Sequence, residues 1–99
     1  SDGQGDAGGY LKGNYEYIKK RIRKYLEYSP QAKRMGIQGL VYVAFTITRD
    51  GSAQNVELRT SSGFDSLDES ALEAVHRASP FAPPPHAARV VVPIQFSLK

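Results

Sequence analysis

Two stretches of alternating apolar and polar residues flank the dipeptide Asp50-Gly51, and this pattern leaves few folds open to the chain. Leu40 to Thr48 places every second residue on one face of a strand, and the alternation resumes after the dipeptide and continues to Thr60. Asp-Gly is favoured in tight hairpin turns because it accepts positive backbone angles. The sequence therefore predicts an antiparallel hairpin.

Two main helices and a short helical turn surround this hairpin in the sequence. Residues 15–26 repeat apolar side chains three or four positions apart, as an amphipathic helix does. Residues 29–36 predict a short helical turn, because a serine at the N-cap precedes a proline. Residues 66–79 predict the second main helix, because Ser66 and Glu69 form a capping box.

A third strand completes the predicted sheet. Residues 90–98 alternate again after a stiff proline-rich connector. A strand, a helix and a strand at this spacing require a right-handed crossover, and the first strand can fill the slot between the second and the third. The prediction is an α+β fold in the order ααββαβ. Its three-stranded antiparallel sheet has the order 2-1-3, and both main helices pack on one face.

The chain is long enough for one domain. Its composition, 40% hydrophobic and 23% charged, is that of a globular protein and excludes a wholly disordered chain. Residues 1–9 contain four glycines and no large apolar side chain, so we expect residues 1–13 to be a flexible linker. Residues 14–99 form the predicted domain. Cysteine is absent, so this domain must fold without disulfides.

Few residues could carry catalysis or bind a metal, and each has a simpler structural explanation. Ser61 and Ser62 lack the leading glycine of a nucleophile elbow and are typical of a polar turn. His76 and His86 lie on different elements, without cysteine or paired carboxylates at ligand spacing. Acidic residues at the start of the second main helix suit the helix dipole. The sequence predicts no catalytic residue, no metal site and no cofactor.

A basic cluster on the first helix is where an electrostatic partner would approach. An alternative is nucleic-acid binding, and residues 36–39 have the G-x-x-G spacing of RNA-binding KH domains. That loop joins two helices in KH domains, however, whereas here it enters a strand. The chain also offers no exposed aromatic pair on a strand for base stacking. The cluster comprises Lys19, Lys20, Arg21, Arg23 and Lys24.

Pro93 indicates which strand lies at an edge of the sheet. Proline cannot donate to a ladder of hydrogen bonds, so a proline inside a strand favours an edge position with the missing donor facing outward. Gln95 and Ser97 would then turn their backbone groups outward as well. This strand carries no charge between Val90 and Leu98, which favours docking of a partner strand. The alternative is a short edge that Pro93 alone protects.

The order and spacing of these motifs resemble those of the TonB C-terminal domain family from about Tyr28 to Leu98. The resemblance implies the periplasmic domain of an energy transducer that catalyses no reaction. An N-terminal segment absent from this chain would anchor the transducer in the inner membrane and partner ExbB and ExbD. The motifs are Tyr28 with Ala32, Gly36-Ile37-Gln38-Gly39, Asp50-Gly51, Ser61-Ser62-Gly63, Leu67-Asp68, Ala71-Leu72, Ala74-Val75, Pro80-Phe81, Pro83-Pro84 and Val92-Pro93-Ile94 with Phe96.

The resemblance also implies binding sites. The family grips the TonB box of outer-membrane receptors by strand addition, and so drives uptake of iron chelates, cobalamin or similar cargo. Glu27 and Tyr28 match a second receptor contact, although Ser29 stands where the family has proline. A TolA-like envelope protein stays an alternative, nucleic acid is not expected, and both a monomer and a strand-swapped dimer are open. The docking strand would comprise Arg89, Val90, Val91, Val92, Pro93, Ile94, Gln95, Phe96 and Ser97.

Overall fold

A computed structural model describes residues 2–98, with side chains from residue 9 onward. The helices are α1 (Asp2–Lys24), α2 (Pro30–Arg34) and α3 (Asp65–Ala78), and the strands are β1 (Gly39–Ile47), β2 (Ala53–Thr60) and β3 (Ala88–Phe96). The strands form an antiparallel sheet in the order β2-β1-β3. The predicted fold class, element order and strand order are confirmed.

The hydrophobic core lies between one face of this sheet and the two main helices. α1 packs against β3, whereas α3 packs against β1 and β2, and the two helices also contact each other. Alternation along β1 and β3 sends every second side chain into the core, as the sequence predicted. The paired core residues are Val41 with Ile94, Val43 with Val92, Phe45 with Val90 and Ile47 with Ala88.

Helix α1 begins at Asp2, so residues 2–13, which the sequence predicted to be part of a flexible linker, are helical in the structure. The Tyr10 side chain is buried, and its hydroxyl donates a hydrogen bond to the carbonyl of Ala82 at 2.6 Å. Burial raises the pKa of Tyr10, and Tyr17 adds to the effect. The tertiary contact at Tyr10 fixes one turn of the helix. Adding residues to an existing turn is easier than starting a new helix, because each added residue contributes one hydrogen bond. The glycine content of residues 1–9 gave no sign of this contact.

The predicted hairpin between β1 and β2 is confirmed, and residues 49–51 form the loop between Thr48 and Ser52. The N–H of Thr48 donates to the carbonyl of Ser52 at 2.9 Å, and the N–H of Gly51 donates to the carbonyl of Thr48 at 2.8 Å. Within the loop Gly51 alone has a positive φ, of 91°. Asp50 accepts from the Thr48 hydroxyl and from the N–H of Ser52, and these bonds lower the pKa of Asp50.

The predicted capping box at the start of α3 is wrong. The helix begins at Asp65, one residue earlier, and its N-cap is Phe64, whose side chain has no acceptor. The carboxylate of Asp68 instead accepts from the Ser61 hydroxyl and from the N–H and hydroxyl of Ser62, the last two at 2.9 and 2.8 Å. Burial alone would raise the pKa of Asp68, but these hydrogen bonds lower it. Asp68 therefore organises the turn that precedes its own helix.

Among residues 2–98, none of the helices combines the length and the apolar character that crossing a membrane requires.

Candidate partner-binding edge

The sheet has two edges, and the edge formed by β2 is irregular. Two register shifts interrupt the pairing of β2 with β1, and Asn55 has a positive φ of 52°. Glu57 and Arg59 add opposite charges along the same strand. Bulges and charged side chains are the usual means by which proteins prevent an edge from pairing with another chain. The β2 edge is therefore poorly suited to docking.

The edge formed by β3 is regular by comparison. All nine residues of β3 pair in unbroken register with Gly39–Ile47 of β1. After Arg89, at its second position, the strand carries no charge. A straight ladder of this kind leaves one complete row of backbone donors and acceptors directed away from the sheet, interrupted only where Pro93 lacks a donor.

The register shows which residues of β3 contribute their backbone groups to that outward row. The N–H of Thr48, just after β1, bonds to Ser52 on the β2 side, so the even-numbered backbone groups of β1 face β2. The odd-numbered residues of β1 then face β3, where they meet the even-numbered residues of that strand. The backbone groups of Arg89, Val91, Pro93 and Gln95 therefore point away from the sheet.

A side chain of α1 reaches the same outward row. The hydroxyl of Tyr15 donates to the carbonyl of Val91 at 3.2 Å. Since the carbonyl of Val91 is available to a helix residue outside the sheet, this contact agrees with the direction deduced from the register. Sequence periodicity placed Tyr15 on the buried face of the helix but gave no indication that it would lie at the sheet edge.

The side chains of β3 alternate as the sequence predicted. Val91, Gln95 and Ser97 are exposed, and Pro93 is half-buried. Arg89 lies on the outer face of the sheet, where its guanidinium bonds to the carbonyl of Asn55 at 2.8 Å and pairs with Glu57 at 3.3 Å. The remaining members of the predicted docking strand send their side chains into the core: Val90, Val92, Ile94 and Phe96.

Glu27 and Tyr28 occupy different environments. Tyr28 is half-buried, donates its hydroxyl to the carbonyl of Ile37 and packs edge-on against Phe96, with ring centroids 5.5 Å apart. Glu27 is exposed and pairs with Arg77 at 3.1 Å. Glu27 and Arg77 line an open groove of about 370 Å³ between the end of α1 and α3. Tyr28 thus joins the segment after α1 to the end of β3, whereas Glu27 stays accessible.

Ser29 is the N-cap of α2, as the sequence predicted. Its hydroxyl accepts a long hydrogen bond of 3.4 Å from the N–H of Ala32. Pro30 occupies the first turn, where its missing donor has no cost. Ser29 and Pro30, in this order, therefore favour the start of α2 directly after Tyr28.

The basic cluster of α1 divides into engaged and exposed members. Arg21 donates from Nε to the carbonyl of Ala78 at 2.5 Å, and so caps the last turn of α3. Lys19 pairs with Glu16 at 3.3 Å and lies over the ring of Tyr15, 4.9 Å from its centroid. The members whose side chains stay exposed, and so can meet an approaching partner, are Lys20, Arg23 and Lys24.

Within the part of the chain that the structure describes, no three histidine, cysteine or acidic side chains come together in a group that could hold a metal ion. The hydroxyls of Ser61 and Ser62 bond to backbone groups of Gly63 and Phe64, as a polar turn predicts, and they also donate to Asp68.

Comparison with known proteins identifies a family that matches most of this chain. The family described as Gram-negative bacterial TonB protein C-terminal matches residues 24–98. Protein TonB of Pasteurella multocida is 31% identical over 97% of this chain, and Protein TonB of Helicobacter pylori strain J99 is 36% identical over 83% of it. The chain spans 38% and 30% of the lengths of these two proteins.

Solved structures give the same relationship. The solution structure of the Helicobacter pylori TonB C-terminal domain aligns with a TM-score of 0.81 at 33% identity, covering 100% of this chain and 94% of that one. The Pseudomonas aeruginosa domain aligns with a TM-score of 0.66 at 26% identity, covering 74% and 78%. The chain therefore belongs to the TonB C-terminal domain family.

Proposed function

We propose that this chain is the receptor-binding domain of a TonB-type energy transducer and that it docks the TonB box of outer-membrane receptors by strand addition to β3. The observation that carries the proposal is the difference between the two sheet edges. The β2 edge is bulged and charged, whereas β3 presents an unbroken outward row of backbone groups with no charge beyond Arg89. Strand addition uses main-chain hydrogen bonds of this kind for affinity.

The outward row defines the ladder that a docked peptide would form. Val91 and Gln95 each offer one donor and one acceptor, whereas Pro93 offers only an acceptor. Arg89 offers a further donor and acceptor at the charged end of the strand. Beside the uncharged part of β3, a docked strand would therefore have two full rungs, at Val91 and Gln95, separated by one half-satisfied rung at Pro93. Family membership supports this assignment, and Glu27 beside the groove is accessible for a second receptor contact.

The same proposal covers the role of the whole protein. The domain would lie in the periplasm, joined to an inner-membrane anchor that partners ExbB and ExbD. It would transmit energy from the proton gradient to receptors that import iron chelates, cobalamin or similar cargo. Catalysis forms no part of this role. Membership of the TonB family supports this proposal.

Nuclear magnetic resonance titration with a synthetic TonB-box peptide tests the docking edge. We expect the amide shifts to change mainly in residues 89–97. Replacement of Gln95 by proline removes an outward donor, and should weaken peptide binding about fivefold, corresponding to about 1 kcal/mol for one net hydrogen bond. Gln95→Ala is the control, because it removes the side chain and keeps the N–H. Shifts confined to β2 or α1, with residues 89–97 unchanged, would refute the assignment.

The exposed lysines and arginine of the basic cluster, Lys20, Lys24 and Arg23, are proposed to steer the domain toward an acidic receptor surface. Charge reversal at Lys20 and Arg23 should slow association with a receptor several-fold and leave dissociation almost unchanged, because steering acts over distance. Stopped-flow measurements at increasing salt would show the difference shrinking as the charges are screened. Lys33→Glu is the control, since it changes an exposed charge on α2. Equal effects of both changes would exclude a steering role for α1.

A further inference from the structure

The β3 edge has the features that make an unprotected strand prone to pair with other chains. It is nine residues long, in unbroken register with β1 and uncharged after Arg89. Proteins normally protect such an edge by a charge, a bulge or a covering element. Here α1 lies against β3 and supplies one hydroxyl to the outward row, from Tyr15 to the carbonyl of Val91.

Tyr15 is held at this position from both sides along its helix. Ile18 and Ile22 are fully buried and fix α1 against the core. Tyr10, one and a half turns before Tyr15, donates to the carbonyl of Ala82. Lys19, one turn after it, lies 4.9 Å from the centroid of the Tyr15 ring. The aromatic ring therefore sits on an anchored helix.

The hydrogen bond itself is weak. Its length of 3.2 Å exceeds the 2.7–2.8 Å at which hydroxyl donors usually bond to carbonyls, and it is exposed to solvent. An exposed, long hydrogen bond is easily exchanged for a better one. The contact can therefore satisfy the carbonyl of Val91 in the free domain without sealing the edge.

We propose that Tyr15 is a displaceable guard of the docking edge, and that an extended peptide must remove its hydroxyl from Val91 before it can complete the ladder. This inference rests on the proposed function, because it presumes that β3 accepts a strand. A peptide N–H would have to lie about 2.9 Å from the carbonyl oxygen of Val91, on the side where the tyrosine hydroxyl lies. Both groups compete for the same outward acceptor.

The position of Pro93 makes this competition significant for affinity. Along the uncharged part of β3, Pro93 offers only an acceptor, so a peptide there depends on the full rungs at Val91 and Gln95. Tyr15 occupies the acceptor of one of these two rungs. Removal of the Tyr15 hydroxyl should therefore strengthen peptide binding. If Tyr15 were instead a residue that binds the peptide through its hydroxyl, the same substitution would weaken binding.

Tyr15→Phe is the test, because it deletes the hydroxyl and keeps the ring. Calorimetric titration with a short synthetic TonB-box peptide should show affinity about two- to tenfold tighter than wild type, the equivalent of one weak hydrogen bond no longer displaced. Tyr17→Phe is the matched control. Tyr17 is an exposed tyrosine on the same helix, two positions away and on another face. The peptide affinity of Tyr17→Phe should therefore stay at the wild-type value.

The carbonyl-carbon shift of Val91 provides a second readout. It should change in Tyr15→Phe without peptide, and in the wild-type protein when peptide is added. If Tyr15→Phe bound the peptide with equal or weaker affinity than wild type, the guard role of Tyr15 would be refuted and strand addition to β3 would not. If neither protein bound the peptide, both the proposed function and the guard role would be refuted.

Discussion

Replacing Gly51 by alanine is expected to lower the free energy of unfolding by about 3–5 kcal/mol, since it combines backbone strain with a clash against backbone rather than against a flexible side chain. Gly51 has a φ of 91°, and a β-carbon there would lie 2.2 Å from the carbonyl oxygen of Phe81. The same two residues are joined by a hydrogen bond of 2.7 Å from the N–H of Phe81 to the carbonyl of Gly51. Either the hairpin loop or the segment after α3 would have to move.

Gly63 provides the control for this prediction. It has a nearly identical φ of 93°, but a β-carbon at that position would meet no described atom within 4 Å. Gly63→Ala should therefore cost only the strain of a positive φ, about 1 kcal/mol. Urea unfolding followed by circular dichroism would compare the two variants. Equal losses of stability would show that the contact with Phe81 is not the cause.

Replacing Ile94 by proline is expected to prevent stable folding at room temperature. The backbone of Ile94 faces Val41 in the centre of the ladder, so proline would remove an interior hydrogen bond at a cost of about 3 kcal/mol or more. The substitution also removes a core side chain that is only 3% exposed. A domain of this size has about 5–15 kcal/mol of stability in total, so the combined loss would consume most of it.

Thermal unfolding of Ile94→Pro and Ile94→Ala would separate the backbone contribution from the lost side chain. The alanine variant keeps the N–H, so it should fold and melt at a lower temperature than wild type. Gln95→Pro, one residue along, should stay folded because its N–H points away from the sheet. A folded Ile94→Pro beside an unfolded Gln95→Pro would show that the backbone directions of β3 are reversed.

The sheet could be predicted from the sequence because its pattern is local. Alternation along residues 40–48 and 90–98 encodes which side chains face the core, and Pro93 indicates an edge from a single missing donor. The hairpin loop was only partly predicted. Asp50-Gly51 suits a two-residue turn, but the side chain of Asp50 instead organises a three-residue loop in which Gly51 alone takes a positive φ.

Features that depend on contacts between distant parts of the chain could not be predicted. Arg21 was grouped with the steering charges, yet it caps α3 through Ala78, 57 positions away. Tyr15 reaches Val91 across 76 positions, and Tyr10 reaches Ala82 across 72. A helical pattern shows which face of α1 is buried, but it does not show which strand that face will meet.

The outward row of β3 also limits how selective this domain can be. In the proposed docking, hydrogen bonds to Val91, Pro93 and Gln95 would involve the partner's main chain, which is nearly the same in every extended peptide. A docking strand of this kind would tolerate wide sequence variation among partners, so one domain could serve several receptors. Discrimination among them would then come from side chains beside the row, such as Tyr15, and such positions are where the domain could diverge as its set of partners changes.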